Sequence, residues 1–89
     1  MNVKDKAKII FKNHGYAEQL EKLEEEVDEF IEAVKDYETG KGGLDHVVEE
    51  FGDMYFLMTQ FQLAYHIDNE NILHVMQYKS DRQMLRDKE

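Results

Sequence analysis

The sequence has no cysteine and no proline. Without cysteine there is neither a disulfide to staple a small fold nor a thiolate to hold a metal. Without proline, glycine is the only strong breaker, and it stands at positions 15, 40, 42, 43 and 52. No run of 18 apolar residues is present, so no segment reads as a transmembrane helix. The N-terminal MNVKDKAKIIF also lacks the apolar run and small-residue cleavage site of a signal peptide. A soluble, cytoplasmic protein is therefore expected. Positive charge is scarce: 11 Lys and Arg stand against 20 Asp and Glu, a formal net charge of −9. That balance argues against a surface that neutralises nucleic-acid phosphates. It leaves room for a small phosphorylated ligand, because bound divalent metals reverse the local sign. The 89 residues fit a single domain, residues 1–89. A domain this small buries only about 60–65% of its unfolded surface, so oligomerisation or unusually good helix packing must support it.

Glycine punctuates what is present. TGKGG (39–43) divides the chain into two long helical stretches. Val3, Ala7, Ile10 and Phe11 predict a first helix over 3–13, stopped in NHGY (13–16) by Gly15. Leu20, Leu23, Val27, Phe30, Ile31 and Val34 repeat at the spacing of one apolar stripe and predict a second helix over 17–38. A third runs from Leu44 or Asp45, with Asp45 as its cap, to about His66. HIDNEN interrupts, Asp68 or Asn69 caps a fourth helix, and Ile72, Val75, Met76, Tyr78 and Met84 carry it to about Asp87. Nothing reads as a strand. The expected fold is all-α, four helices with a central antiparallel hairpin around TGKGG.

LEEEVDEFIEA (23–33) crowds six carboxylates into eleven positions. Like charges this dense are either spread over water or given a cation to hold. With Leu23 at 0° and about 100° per residue, the apolar stripe lies between roughly 340° and 80°. Glu24, Glu25, Asp28 and Glu32 fall at about 100–200°, mostly on the far side, whereas Glu26 (about 300°) and Glu29 (about 240°) flank the stripe. Helix three supplies a second i,i+3 pair, Glu50 and Asp53. Its main apolar stripe is Val47, Phe51, Met54, Tyr55 and Met58, and Leu57, Phe61 and Ala64 continue on the Glu50/Asp53 side. A helix so coated must be covered on more than one side, most simply by another subunit. Across the hairpin the two acidic pairs meet to within roughly 5 Å along the axis. Four converging carboxylates at a core's edge repel unless they are protonated or bind metal. All-oxygen ligation points to a hard cation, Mg²⁺ first and Mn²⁺ second. Gly52, between the two helix-three ligands, costs about 1 kcal/mol against alanine. Close approach of a helix or ligand would explain it, and so would tight packing.

The motif EEVDE (25–29), then EFGD (50–53) followed by an apolar run, resembles the MazG-like nucleotide pyrophosphohydrolases. These belong to the all-α NTP pyrophosphatase superfamily, with dimeric dUTPases and phosphoribosyl-ATP pyrophosphohydrolases as relatives. QLEKLEEEVDEFIEA (19–33) has the family's upstream glutamine and leucine, and the likeness covers roughly residues 15–65. The resemblance implies cleavage of a nucleoside triphosphate between its α and β phosphates, giving monophosphate and pyrophosphate. By motif position Glu26, Glu29, Glu50 and Asp53 are the implied Mg²⁺ ligands, with Mn²⁺ an alternative. Metal there neutralises phosphate oxygens and lowers the pKa of a water, and a carboxylate not saturated by metal takes the proton. Glu25 and Glu29 are the catalytic candidates, although a regular helix points Glu25 away from the pair. QYKSDR (77–82) stands where the family often carries N-x-K-x-x-R, so Lys79 and Arg82 are expected as triphosphate clamps, with Gln77 replacing the usual Asn. Gln19, on the Glu26 side of helix two, is a candidate for base or sugar contact. The implied assembly is a homo-oligomer, a tetramer ahead of a dimer.

Each of these features also has an ordinary reading. A lone ExxE on an acidic helix is a solvated face, and Glu18 with Lys22 has the spacing of a surface ion pair. Met54, Tyr55, Phe56, Met58 and Phe61 read as core and subunit interface, and Lys79 and Arg82 suit a helix C-terminus without any ligand. His14, His46, His66 and His74 show no ligand spacing with the carboxylates. A di-iron bundle needs Glu-x-x-His on two helices, which is absent. The competing function is a non-catalytic helical module that binds a nucleotide or a protein.

Overall fold

Asn2 starts the first helix. Its side chain accepts from Asp5 N–H at 2.8 Å, and the Asp5 carboxylate accepts from Asn2 N–H at 3.4 Å, a reciprocal capping box. A computed structural model describes residues 1–88 as four helices: α1 (Val3–His14), α2 (Tyr16–Glu38), α3 (Leu44–Ala64) and α4 (Asn69–Asp87). Among the described residues there is no strand. Gly15 alone separates α1 from α2, at φ +81° and ψ 162°, a conformation open in practice only to glycine.

TGKGG closes the hairpin by wrapping the end of α2. Lys41 and Gly42 N–H both donate to Asp36 O, at 2.7 and 3.1 Å, and Gly40 takes φ +77°. The N-cap of α3 is Gly43, which has no side chain to cap with. Asp45, expected as the cap, instead stands in the first turn, where its charge still faces the free amides. The helix stops at Ala64 rather than His66, because His66 adopts φ +54° and cannot extend it. Asp68 then caps α4 by accepting from Glu70 N–H at 3.0 Å.

α2 and α3 pack along their length as an antiparallel hairpin, and α1 lies mainly against α3. Ala7, Ala33 and Leu57 are the fully buried apolar residues. Edge-to-face aromatic pairs tie the elements: Phe11 to Phe61 across α1/α3 at 5.1 Å, and Phe30 to Phe51 across α2/α3 at 5.7 Å. Each such pair adds about 0.5–1.5 kcal/mol beyond its burial.

The core uses the second apolar side of α3, not the one expected to dominate. Leu57, with Glu50 and Gln60, faces inward, while Phe51, Tyr55 and Met58 remain about half exposed. α1 and α2 occupy the Leu57 side, so the chain has nothing left to cover the other. Gly52 lies on this open flank, and a Cβ there would meet nothing within 4 Å. Neither a close helix nor tight packing within the chain accounts for it.

α4 packs against none of the other helices. Leu73, Val75, Met76, Tyr78, Met84 and Leu85 on it are all more than half exposed. The radius of gyration, 15.9 Å, exceeds the roughly 12 Å of a compact chain of this length. No helix among the described residues is long and apolar enough to cross a membrane.

Candidate functional site

The hairpin register decides which side chains meet. Gln19 of α2 donates a hydrogen bond to Gln60 of α3 at 2.8 Å, deep between the helices. In antiparallel helices that pairing places Glu26 opposite Asp53 and Glu29 opposite Glu50. The axial offset of roughly 5 Å expected from the sequence is therefore absent.

Glu26, Glu29 and Glu50 each offer a carboxylate oxygen, all within 4.8 Å of one another. Glu50 is buried, Glu26 half-buried and Glu29 exposed. One oxygen of Glu26 and one of Glu50 are sealed from solvent without a hydrogen-bond partner. Burial raises both the Glu26 and Glu50 carboxyls above the ordinary glutamate range. Glu29 and Asp53 push both further in the same direction, while His46 partly opposes this at Glu50. His46 Nδ1 stands 3.9 Å from Glu50 Oε1, so this histidine lies beside the cluster rather than apart from it.

These residues fit a hard divalent cation. The donors are all oxygen, two of them lack partners, and their spread is close to the roughly 4 Å across an Mg²⁺ shell. Asp53 is outside the tightest group. It lines, with Glu26, a cavity of about 500 Å³ that runs between α1 and the hairpin to Gln19 and Gln60.

The other expected site residues are placed less uniformly. Gln19 is at the cavity wall but buried, its amide nitrogen already committed to Gln60. Glu25 is exposed and outside the cluster, as its helical angle requires. Lys79 and Arg82 lie on α4, which does not pack against the hairpin that carries the acidic cluster, with the Arg82 guanidinium 5.7 Å over the Tyr78 ring.

Three residues at the cavity were not among the site residues expected from the sequence. Lys22 lines the cavity between Gln19 and Glu26. The ion pair expected to occupy it does not form, because Glu18 bonds His14 at 3.1 Å instead. Gln60 and Phe56 line the same cavity. The signal for Gln60 was available: a glutamine within the apolar run 54–65, seven residues after Asp53 as Gln19 is seven before Glu26.

The all-α chain, with Glu26, Glu29 and Glu50 gathered across its central hairpin, is a member of the MazG-like all-α NTP pyrophosphatase superfamily. Within it, the chain belongs to the phosphoribosyl-ATP pyrophosphohydrolase family, whose sequence profile matches residues 2–79. The match takes in α1, α2 and α3 whole and ends at Lys79, short of Arg82. No curated protein and no solved structure matches the chain.

Proposed function

We propose that this chain is a Mg²⁺-dependent pyrophosphohydrolase that opens the α–β phosphoanhydride of a nucleoside triphosphate, giving the monophosphate and pyrophosphate. Mn²⁺ is the second candidate ion. The observation that carries the reading is the Glu26/Glu29/Glu50 cluster, with two unpartnered buried oxygens, beside a cavity large enough for a nucleotide.

Glu26, Glu29 and Glu50 would hold the ion, and Asp53, which lines the adjoining cavity, would be the fourth ligand. When bound, the ion neutralises phosphate oxygens and makes the attacked phosphorus more electrophilic. Glu29 is the most solvent-accessible of the three and is the group to accept the proton of the attacking water. The water oxygen bonds to phosphorus, the bond to the bridging oxygen breaks, and pyrophosphate leaves. Glu25 faces away and takes no direct part. Lys22 supplies positive charge to the phosphates from within the cavity.

Lys79 and Arg82 serve as further clamps from another copy, because their helix is tied to its own chain only at its start, where Gln62 donates to Asn69 at 2.7 Å, and packs on no other helix. The surface supports such an assembly. The chain exposes 7306 Å², against roughly 5,500 Å² for a compact monomer of its mass. That excess is larger than the roughly 800 Å² per partner of a standard interface. The open flank of α3 and the apolar face of α4 are the surfaces for a tetramer or a dimer.

The family name offers a specific substrate, phosphoribosyl-ATP, and the α–β anhydride is common to it and to ordinary triphosphates. Pyrophosphate release from a panel of dNTPs, NTPs and phosphoribosyl-ATP, with Mg²⁺ and with EDTA, tests the proposal. Metal-dependent release that falls by about a hundredfold or more in Glu50→Gln is expected. Absence of release from every member, with Mg²⁺ binding intact, would leave a non-catalytic nucleotide-binding module.

A further inference from the structure

Two primary amides occupy positions that an 89-residue helical protein would ordinarily fill with leucine. Gln60 is 1% exposed and Gln19 is 4% exposed. Their mutual bond uses Gln19 Nε2 and Gln60 Oε1. Gln19 Oε1 and Gln60 Nε2 make no hydrogen bond among the described residues. Burying either in an apolar surround would cost about 1–3 kcal/mol. Neither is sealed off, however, since the sealed and unpartnered side-chain atoms are those of Glu26 and Glu50. Both glutamines line the 500 Å³ cavity, which is the space beside the free carbonyl and the free amide.

Their distance from the carboxylates is set by the helices. Gln19 precedes Glu26 by seven residues and Gln60 follows Asp53 by seven. Seven residues are two turns, about 10.5 Å of rise with only about 20° of angular drift. The amide pair and the acidic cluster thus sit on one face, separated by about the length of a nucleoside. Phe56 and Ile10 of α1 line the same cavity.

We propose that Gln19 and Gln60 form an amide clasp that reads the edge of the substrate's heterocyclic base while the hairpin carboxylates act on its phosphates. An acceptor beside a donor complements a base edge with a donor beside an acceptor, as nucleobases have. The mutual bond holds each amide against the other, so recognition needs less ordering of free side chains. The clasp selects nucleotides over simple phosphoanhydrides, and Phe56 supplies stacking area. This rests on the nucleotide reading above, although the cavity chemistry can be tested without turnover.

The experiment uses the full chain and the paired substitution Gln19→Met/Gln60→Met, which removes both amides at similar volume and leaves neither orphaned. Gln60→Leu is the second variant, and circular dichroism establishes that each is folded. Two readouts are taken: binding of nucleoside monophosphates by calorimetry, and kcat and KM for the triphosphate panel. The expected result is that the wild type prefers some bases to others. In the paired variant that preference collapses by about tenfold or more, the equivalent of one lost hydrogen bond, with the change in KM rather than kcat. An unchanged order of preference in a folded variant overturns the clasp and leaves the pair as a pin for the hairpin register. If no triphosphate is hydrolysed but monophosphates bind with a preference that the paired variant loses, the clasp stands and the hydrolase reading fails. If no monophosphate binds the wild type, the clasp is overturned whatever the hydrolase assay shows.

Discussion

Burial and the fields of Glu29 and Asp53 disfavour the charged forms of Glu26 and Glu50 and raise both carboxyls above the ordinary glutamate range. An acid whose pKa is higher folded than unfolded contributes stability below its unfolded value and loses it as pH rises through the folded one. From about pH 4.5, the ordinary glutamate value, upward, the metal-free protein should lose stability through these two groups. Thermal midpoints measured from pH 4.5 to 7.5 in EDTA should fall more steeply for wild type than for Glu26→Gln/Glu50→Gln. Millimolar Mg²⁺ should reverse the trend in wild type and leave the variant unmoved beyond general salt screening. Glu50→Gln alone should raise the metal-free midpoint while abolishing the metal response. A solvated acidic face would give the same shallow profile in all cases.

Elements are joined here by residues whose backbone matters more than their side chain. Gly15 holds the single-residue corner between α1 and α2 at φ +81°. Gly15→Ala should cost about 1–3 kcal/mol in urea unfolding, although a Cβ there would meet nothing within 4 Å. Gly52 is the reverse case, a helical glycine with open space beside it. Gly52→Ala should stabilise α3 by about 1 kcal/mol, read as a higher unfolding midpoint. A lower midpoint would mean that another copy's backbone lies over that position. The four helices themselves were legible because each apolar stripe and breaker acts within a few residues. The cap of α3 was not. Asp45 has the right chemistry for a cap, but TGKGG carries the chain around to Gly43 before the helix begins.

For the whole molecule, the exposed flank of α3 and the unpacked α4 predict an oligomer. Sedimentation or light scattering should give a multiple of 10.6 kDa, and Tyr55→Glu should shift it toward the protomer. A monomeric wild type at micromolar concentration would contradict the assembly. Lys79 and Arg82 allow a sharper test. Glu50→Gln and Lys79→Ala/Arg82→Ala should each be inactive alone, and mixing them should restore activity if the clamp acts between copies. No recovery from mixed oligomers would confine both residues to the surface.

The sequence by itself determined the helices, the hairpin and the two acidic pairs, because helical periodicity and glycine breakers are local and fix which face each side chain takes. It also carried the family likeness, which lies in motif spacing. Only the tertiary structure decided the hairpin register, and with it that Glu29 faces Glu50 and that Gln19 is bonded to Gln60. It likewise decided that α3 turns its Leu57 side inward and leaves Phe51 and Tyr55 open. Those outcomes depend on which of two similar apolar stripes α1 and α2 cover. That choice is made by packing between distant segments, which no window along the chain contains.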